Sequence, residues 1–336
     1  MKASKKIARQ FVFPMIMNLG IEKLVRNSSN NSILNIMYHG VVPQNATFFS
    51  SRNLTIEQFE KQLKYFIKEF EILSLREAFD CYRNHQKTKR KAITISFDDG
   101  YKNNLKHVLP LLEKYNIKAT FFVSGACTQE MDVRAFWYDL IACLNYYHSN
   151  EIIEIEGHRF INFYESNKKL NIYDFIKSLP PKILENTIAR IEKKYALNDK
   201  LKQISPDIWE LMNQEDVQEL SKSKNVDIGS HGNVHYDLGL IGIDDAAIEL
   251  KKSKELLEAT IDMDVDTIAY PFGSYTNIVK NLAETIGYNK QIAVSYQCSD
   301  DKTDLRILSR HGISSTTTFE SNMFFLSKAF ISSGYN

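Results

Sequence analysis

Apolar positions along this chain fall into two recurring patterns. Short runs that alternate with polar residues, or that are continuously β-branched and aromatic, predict strands over 33–39, 92–97, 118–123, 226–230, 267–270, 292–296 and 307–313. Stretches whose apolar residues recur near the helical period predict helices over 55–70, 104–115, 216–223, 244–261 and 277–286. Strand and helix alternate, which implies parallel strands joined by right-handed crossovers and hence a barrel or an open doubly wound sheet. The alternation fails between about 134 and 206, where Phe136-Trp137-Tyr138-Asp139 begins a predicted helix and Lys-, Asn- and Glu-rich chain follows. This segment reads as a mostly helical insertion, a lid or rim over one end of the fold.

Composition narrows the class. A chain of 336 residues with 43% apolar content can bury one large core. Its formal net charge of +1, with no basic stripe interleaved with aromatics, excludes a nucleic-acid binder. Cys81, Cys127, Cys143 and Cys298 lack the spacing of a zinc ribbon or a disulfide framework and are expected to be free thiols. Residues 1–30 form a separate basic segment ahead of a domain spanning 31–336. Lys2, Lys5, Lys6 and Arg9 precede Phe11-Val12-Phe13, the charge order of a secretory signal, but Pro14 and Asn18 interrupt the apolar run and no small-residue cleavage site follows. The alternatives are a basic amphipathic segment lying on an anionic membrane surface and a helix packed on the domain.

Two segments carry candidate chemistry. Asp98 and Asp99 stand at the C-terminal tip of the predicted 92–97 strand, with Gly100 ending it. Asp-Asp-Gly alone is an ordinary turn. His231 and His235 follow the 226–230 strand at i, i+4, a spacing that brings both imidazoles to one metal if the chain turns helically there. Together the segments offer ligands for one divalent ion, an open position for water and a spare carboxylate, the equipment of a metal-dependent hydrolase.

The segments Ile95 to Tyr101, Lys118 to Val123, Ile228 to His235 and Ala269-Tyr270-Pro271-Phe272-Gly273 resemble, in order and spacing, the motifs of the polysaccharide deacetylases, the family-four carbohydrate esterases. Ile36-Met37-Tyr38-His39-Gly40-Val41 resembles the first strand of one large subgroup, and Leu308 to Ile313 its last motif, so the resemblance covers roughly residues 33 to 315. It implies a distorted (β/α) barrel, with the reacting groups at the C-terminal strand ends. It further implies a divalent metal, zinc by the ligand types, on Asp99, His231 and His235, with Asp98 as general base and the Phe272 N–H as an oxyanion donor. The expected reaction is hydrolysis of an N-acyl group, N-acetyl first, from an amino sugar in a polysaccharide or glycan precursor; formyl amides and O-acetyl esters are chemically accessible too. The precursor is expected to be lipid-linked or nucleotide-linked if the protein is cytoplasmic, on its own or peripherally on the inner membrane surface; an exported enzyme would act on finished polymer. Trp137, Tyr138, Tyr146, Tyr147 and Phe163 of the insertion are read first as its own core and second as sugar-stacking surfaces.

The chain departs from the family pattern in two places. Ala269 stands where well-known members carry an Arg that tethers the catalytic Asp, and Arg310 is the candidate replacement. A late Leu-x-His motif that supplies the general acid is missing, which leaves His311 and His39 as candidates; Arg310 and His311 are neighbours on a strand and so face opposite ways. Two other readings stay open, a carbohydrate-binding or assembly protein that has lost turnover and an amidohydrolase acting on a non-sugar amide.

Overall fold

A computed structural model describes residues 11–30, 32–165 and 170–332. Thirteen strands occur among them. In the main sheet lie β1 (Ile33–Tyr38), β4 (Glu71–Ile72), β5 (Ala92–Phe97), β6 (Ala119–Val123), β10 (Val226–Ser230), β11 (Thr267–Ala269), β12 (Lys290–Ala293) and β13 (Ile307–Gly312). A parallel pair, β2 (Gly40–Val42) and β3 (Asn53–Thr55), stands beside it, and β7 (Ile152–Ile155), β8 (His158–Ile161) and β9 (Tyr164–Glu165) form an antiparallel meander. The main sheet runs β1-β13-β12-β11-β10-β6-β5-β4, and every pairing within it is parallel. Because β1 also pairs with β5 over its whole length, seven strands close into a ring, with β4 attached outside it. The expected distorted barrel is therefore what the chain forms. Its strands are buried on both faces, as parallel strands wrapped by helices must be; all six residues of β5 are buried.

The predicted barrel helices lie close to their expected places. Ile56–Glu69 starts on a reciprocal cap in which the Thr55 hydroxyl accepts from the Gln58 amide and the Gln58 side chain accepts from the Thr55 amide. Gln214–Ser221, Ile243–Ile261 and Asn277–Ile286 are the others, while the 104–115 stretch opens with a π turn before the α-helix Leu109–Tyr115. The strand expected at 292–296 sits at Lys290–Ala293 instead. Its two polar residues are buried by pairing, the Lys290 ammonium on Asp266 and the Gln291 carbonyl under the Tyr270 hydroxyl, so polarity mismarks its start.

Several elements carry no clear signal in the sequence. Helix Leu75–Arg83 places Leu75 and Phe79 against Phe122, Ala269, Ile292 and Leu308 from the ring strands, and this plugs the N-terminal end of the barrel. The insertion is mostly helical, as expected, with Trp137–His148, Ile172–Lys177, Pro181–Tyr195 and Leu197–Leu201, but it also holds the β7–β9 meander. Trp137, Tyr138 and Phe163 are buried in the core, whereas Tyr146 and Tyr147 are exposed. At the chain ends, helices Phe13–Asn18 and Ile21–Asn27 pack on a C-terminal helix, Phe319–Ser332. The basic residues Lys2, Lys5, Lys6 and Arg9 lie outside the described residues. All four cysteines are free thiols, two of them buried.

Candidate active site

Parallel strands deliver their C-terminal ends to one face of the barrel, and that face collects the chemistry. Asp98 and Asp99, both buried, directly follow β5; His231 directly follows β10, and the turn there carries His235; β11 leads into Pro271-Phe272-Gly273. Asp99, His235 and Phe272 all hold positive φ, at 77°, 64° and 58°. Such backbone is costly for residues with a Cβ and marks positions held by their surroundings rather than by local preference. Gly100, at φ 87°, must be glycine for a second reason: a Cβ there would lie 2.8 Å from the Cys127 sulfur.

Asp99 Oδ1 lies 3.2 Å from His235 Nε2 and 3.5 Å from His231 Nε2. The His231 Nδ1 hydrogen is committed to the Ala269 carbonyl oxygen at 2.7 Å, so in the neutral ring Nε2 presents a lone pair to the carboxylate. Asp99 Oδ1 is buried with no hydrogen-bond donor among the described residues. Lone pairs that converge in this way ask for a cation. A tetrahedral zinc site with bonds of about 2.1 Å sets donor atoms about 3.4 Å apart, and the two Asp99 distances bracket that figure. The three residues therefore fit a divalent ion, and burial of all three fits it too.

Asp98 has a different partner. Arg310, inside the barrel on β13, donates from Nη1 to Asp98 Oδ1 at 2.6 Å and from Nη2 to Oδ2 at 2.5 Å, a bidentate pair buried on both sides. The same guanidinium lies 5.3 Å from the centre of the Phe122 ring and reaches the Ser96 hydroxyl at 3.4 Å. Alternation along β13 carries His311 to the opposite face, where its imidazole makes no hydrogen bond to Asp98, Asp99 or the histidine pair. The structure thus separates His311 from the carboxylates, and its place among the reacting groups is withdrawn. His39, just past β1, does stand in their field: burial lowers its pKa while Asp99 and Asp98 pull the other way. Burial by itself would push the Asp99 carboxyl up, but the two facing imidazoles outweigh it and hold the group well below the usual carboxylate range.

Three aromatic rings enclose His235. Phe272, Tyr138 and Phe136 have their centroids 4.6, 5.0 and 5.3 Å from the imidazole, and the last two belong to the insertion. What fastens the insertion there is Asp139, fully buried, which accepts from the Arg52 guanidinium and from the Tyr101 hydroxyl, while Arg52 lies 4.3 Å over the Tyr138 ring. Burial pushes the Asp139 carboxyl up to about 6 against the pull of Arg52. The turn between the two histidines has its own anchor: buried Glu249, from helix Ile243–Ile261, accepts the amides of Asn233 and Val234 at 2.9 and 3.0 Å. Neither Glu249 nor the Arg52–Asp139 pair was found from the sequence, since nothing local distinguishes them from solvated helix and loop charges. The Phe272 amide has no acceptor among the described residues, and its side chain is exposed at the mouth of the site beneath the Lys177 ammonium, 5.1 Å from the ring centre.

A sequence model of the polysaccharide deacetylases matches residues 85–162 and 180–290, more than half of the chain, and the matched ranges include Asp98, Asp99, His231 and His235. The chain belongs to this family. Among curated proteins it is 32% identical over 91 residues to a putative polysaccharide deacetylase, YxkH, of Bacillus subtilis, a match covering 27% of this chain and 31% of that one. It is 33% identical over 113 residues to poly-β-1,6-N-acetyl-D-glucosamine N-deacetylase of Staphylococcus aureus, covering 30% of this chain and 39% of that one. The matched stretch thus spans about a third of the length of these relatives. Among solved structures, IcaB from Ammonifex degensii superposes with a TM-score of 0.54 at 15% identity, over 90% of this chain and 98% of that one, a likeness of fold. Membership accounts for the barrel and for the order of the motifs, while Ala269 and the missing Leu-x-His motif mark where this chain departs from the pattern.

Proposed function

We propose that this protein hydrolyses the N-acetyl amide of an amino sugar within a glycan, using one divalent ion, zinc by preference, on Asp99, His231 and His235. The observation that carries the reading is the split between the two adjacent carboxylates. Asp99 faces both imidazoles, whereas Asp98 is turned onto Arg310 and left out of the ligand set. A divalent ion held at such a site supplies Lewis acidity, which lowers the pKa of water and polarises an acyl oxygen. Asp98, oriented by the Arg310 fork, accepts the proton of the water that adds to the acyl carbon. The Phe272 N–H donates to the acyl oxygen as negative charge grows on it. When the carbon–nitrogen bond breaks, His39 gives the departing amine its proton, and acetate and a free amino sugar result.

Two features support a glycan rather than a small amide as substrate: the family, and an aromatic mouth formed by Phe272 with insertion residues. Poly-β-1,6-N-acetyl-D-glucosamine is the substrate in the printed name of the staphylococcal relative, and N-acetylglucosamine oligomers are accordingly the first substrates to test. The experiment measures acetate release together with metal content. Wild type should release acetate from such oligomers and retain one divalent ion per chain. Asp98→Asn should keep the ion and lose about a hundredfold or more in turnover, and His231→Ala with His235→Ala should lose the ion. Full metal retention in the double histidine variant, or equal metal loss in Asp98→Asn and Asp99→Asn, would overturn the assignment. Release of amine from small amides but not from sugars would favour the non-sugar amidohydrolase instead.

A further inference from the structure

The first two described helices and the last one meet in a surface that the catalytic reading leaves unexplained. Helix Phe13–Asn18 and the residues flanking it, from Phe11 to Gly20, contain no charged side chain, and apolar residues occupy more than one side. A helix that is apolar all round is normally covered all round. Here only one side is covered: Phe13 packs its ring 5.4 Å from Phe324 and 5.6 Å from Phe325 of the C-terminal helix, and Met17 reaches the core. The opposite stripe, Phe11, Met15 and Leu19 at i, i+4 and i+8, is left 62%, 56% and 65% exposed. Leu24, on the next helix, is 70% exposed, and three of these four are among the four most exposed large apolar side chains of the described residues. The C-terminal helix continues the surface with Phe325 and Ile331, 46% and 54% exposed, and places Lys328 between them at i+3.

Most of the exposed charge on these helices is basic, from Lys328 and the half-exposed Lys23. Lys2, Lys5, Lys6 and Arg9 precede it in the sequence without an acidic residue among the first ten. Of the two acidic residues on these helices, Glu22 is buried and Glu320 is paired with Lys61. Exposed apolar stripes edged by cations suit the boundary between acyl chains and anionic headgroups, where the rings and aliphatic side chains enter the hydrocarbon and the ammonium groups meet phosphate. No described helix is long and apolar enough to cross a membrane. We propose that the N-terminal helices and the C-terminal helix together form a docking face for an anionic lipid bilayer, one that lies on the surface without spanning it. Acting from that face, the barrel would work on glycan carried by a lipid in the same leaflet; this last step rests on the deacetylase reading, whereas the docking does not.

Vesicle co-sedimentation of the full chain tests it. The protein should bind phosphatidylcholine vesicles that contain phosphatidylglycerol and should bind pure phosphatidylcholine far more weakly, with a loss of about fivefold for each of Lys5, Lys6 and Arg9 changed to Gln. Met15→Asp with Leu19→Asp should abolish binding, and Phe325→Asp alone should weaken it by tenfold or more, although that residue is more than three hundred positions from the basic run. Far-ultraviolet circular dichroism of each variant excludes misfolding; Met15 and Leu19 are exposed, and because Phe325 also packs on Phe13, Ile331→Asp, farther along the same face and 54% exposed, is its control and should weaken binding likewise. Full binding by the Phe325 and Met15/Leu19 variants would overturn the proposal, since a basic tail alone would then be responsible. So would a wild type that ignores vesicles and instead dimerises in a way that these substitutions abolish, because the occupant would then be a second copy of the chain. Vesicle binding without acetate release would leave the docking face standing and remove the deacetylase reading; the reverse result would do the opposite.

Discussion

The Arg310–Asp98 pair allows a stability prediction and a functional prediction to be separated. Replacing Arg310 by Met keeps the length of the side chain and much of its contact with Phe122 but removes both hydrogen bonds to Asp98, at 2.6 and 2.5 Å. Asp98 is 2% exposed, so no solvent replaces them, and its nearest remaining cationic candidate is His231 at 3.8 Å. Breaking one half of a buried ion pair costs about 3–5 kcal/mol, because the other half stays desolvated and unpaired. Removing both halves costs far less. Denaturant unfolding of the metal-free protein should therefore show a loss of about 3–5 kcal/mol for Arg310→Met, recovered by more than half in Arg310→Met with Asp98→Leu. Turnover behaves otherwise: both variants should be at least about a hundredfold slower than wild type, since one misorients the base and the other deletes it, while metal content in the single Arg310 variant stays at the wild-type level. Additive stability losses in the double variant would refute the pairing as the source of the cost. Loss of metal from Arg310→Met would show that the guanidinium serves the ligand set and not the base.

Glu249→Leu should weaken metal affinity by about 10- to 100-fold, the usual effect of removing a group that positions ligands, because the Asn233 and Val234 amides lose their acceptor; Glu249→Gln should retain most of it, and equal loss in both, measured by chelator competition, would count against positioning. If His39 protonates the amine, its lowered pKa makes it scarce in acid form at neutral pH, so the ratio of wild-type to His39→Ala turnover should rise as pH falls below 6.5; a ratio that does not change with pH would exclude it. Asp301 and Asp304 converge on the buried Lys280, and although burial raises both carboxyls the ion pairing outweighs it and lowers them. Carboxyls lowered in the native state stabilise it fully above their unfolded pKa near 3.8 and lose that contribution as pH falls through the native values, so unfolding should become easier below about pH 4 and less steeply so in Lys280→Met; an identical acid profile in that variant would contradict the account.

The barrel strands were legible because a strand buried on both faces is written mainly in apolar residues with only small polar ones between them, as Thr94 and Ser96 within Ala92–Phe97. The residues proposed to hold the ion could be picked out because two of the three sit four residues apart on one turn and the third follows a strand. Arg310 could be proposed from the sequence only through an absence, the Ala at 269, combined with the resemblance of Leu308 to Ile313 to a family motif, since its partner is 212 residues away. Glu249 and Asp139 had no comparable clue. Their partners are backbone amides and a guanidinium brought up by tertiary folding, and a carboxylate looks the same in sequence whether it ends up in water or buried at a turn. The floor helix Leu75–Arg83 was missed for a related reason: it is nine residues long and its insertion into the barrel depends on two side chains, Leu75 and Phe79, too few to register as a periodic pattern. The C-terminal helix hid in the opposite way, being apolar on nearly every side.

The left-handed backbone at Asp99, His235 and Phe272 gives this protein an inbuilt conflict between durability and use. Glycine would relax the backbone at each of the three, by on the order of 1 kcal/mol, but each side chain is one the proposed site uses: a carboxylate and an imidazole for the ion and a ring at the mouth. Asp99 and His235 are buried and would leave cavities, so selection for thermal tolerance alone, in the laboratory or in a lineage that no longer needs turnover, should erode the site first at the exposed Phe272. A relative that kept the barrel and carried glycine at the position of Phe272 would show by that single residue which pressure had acted on it.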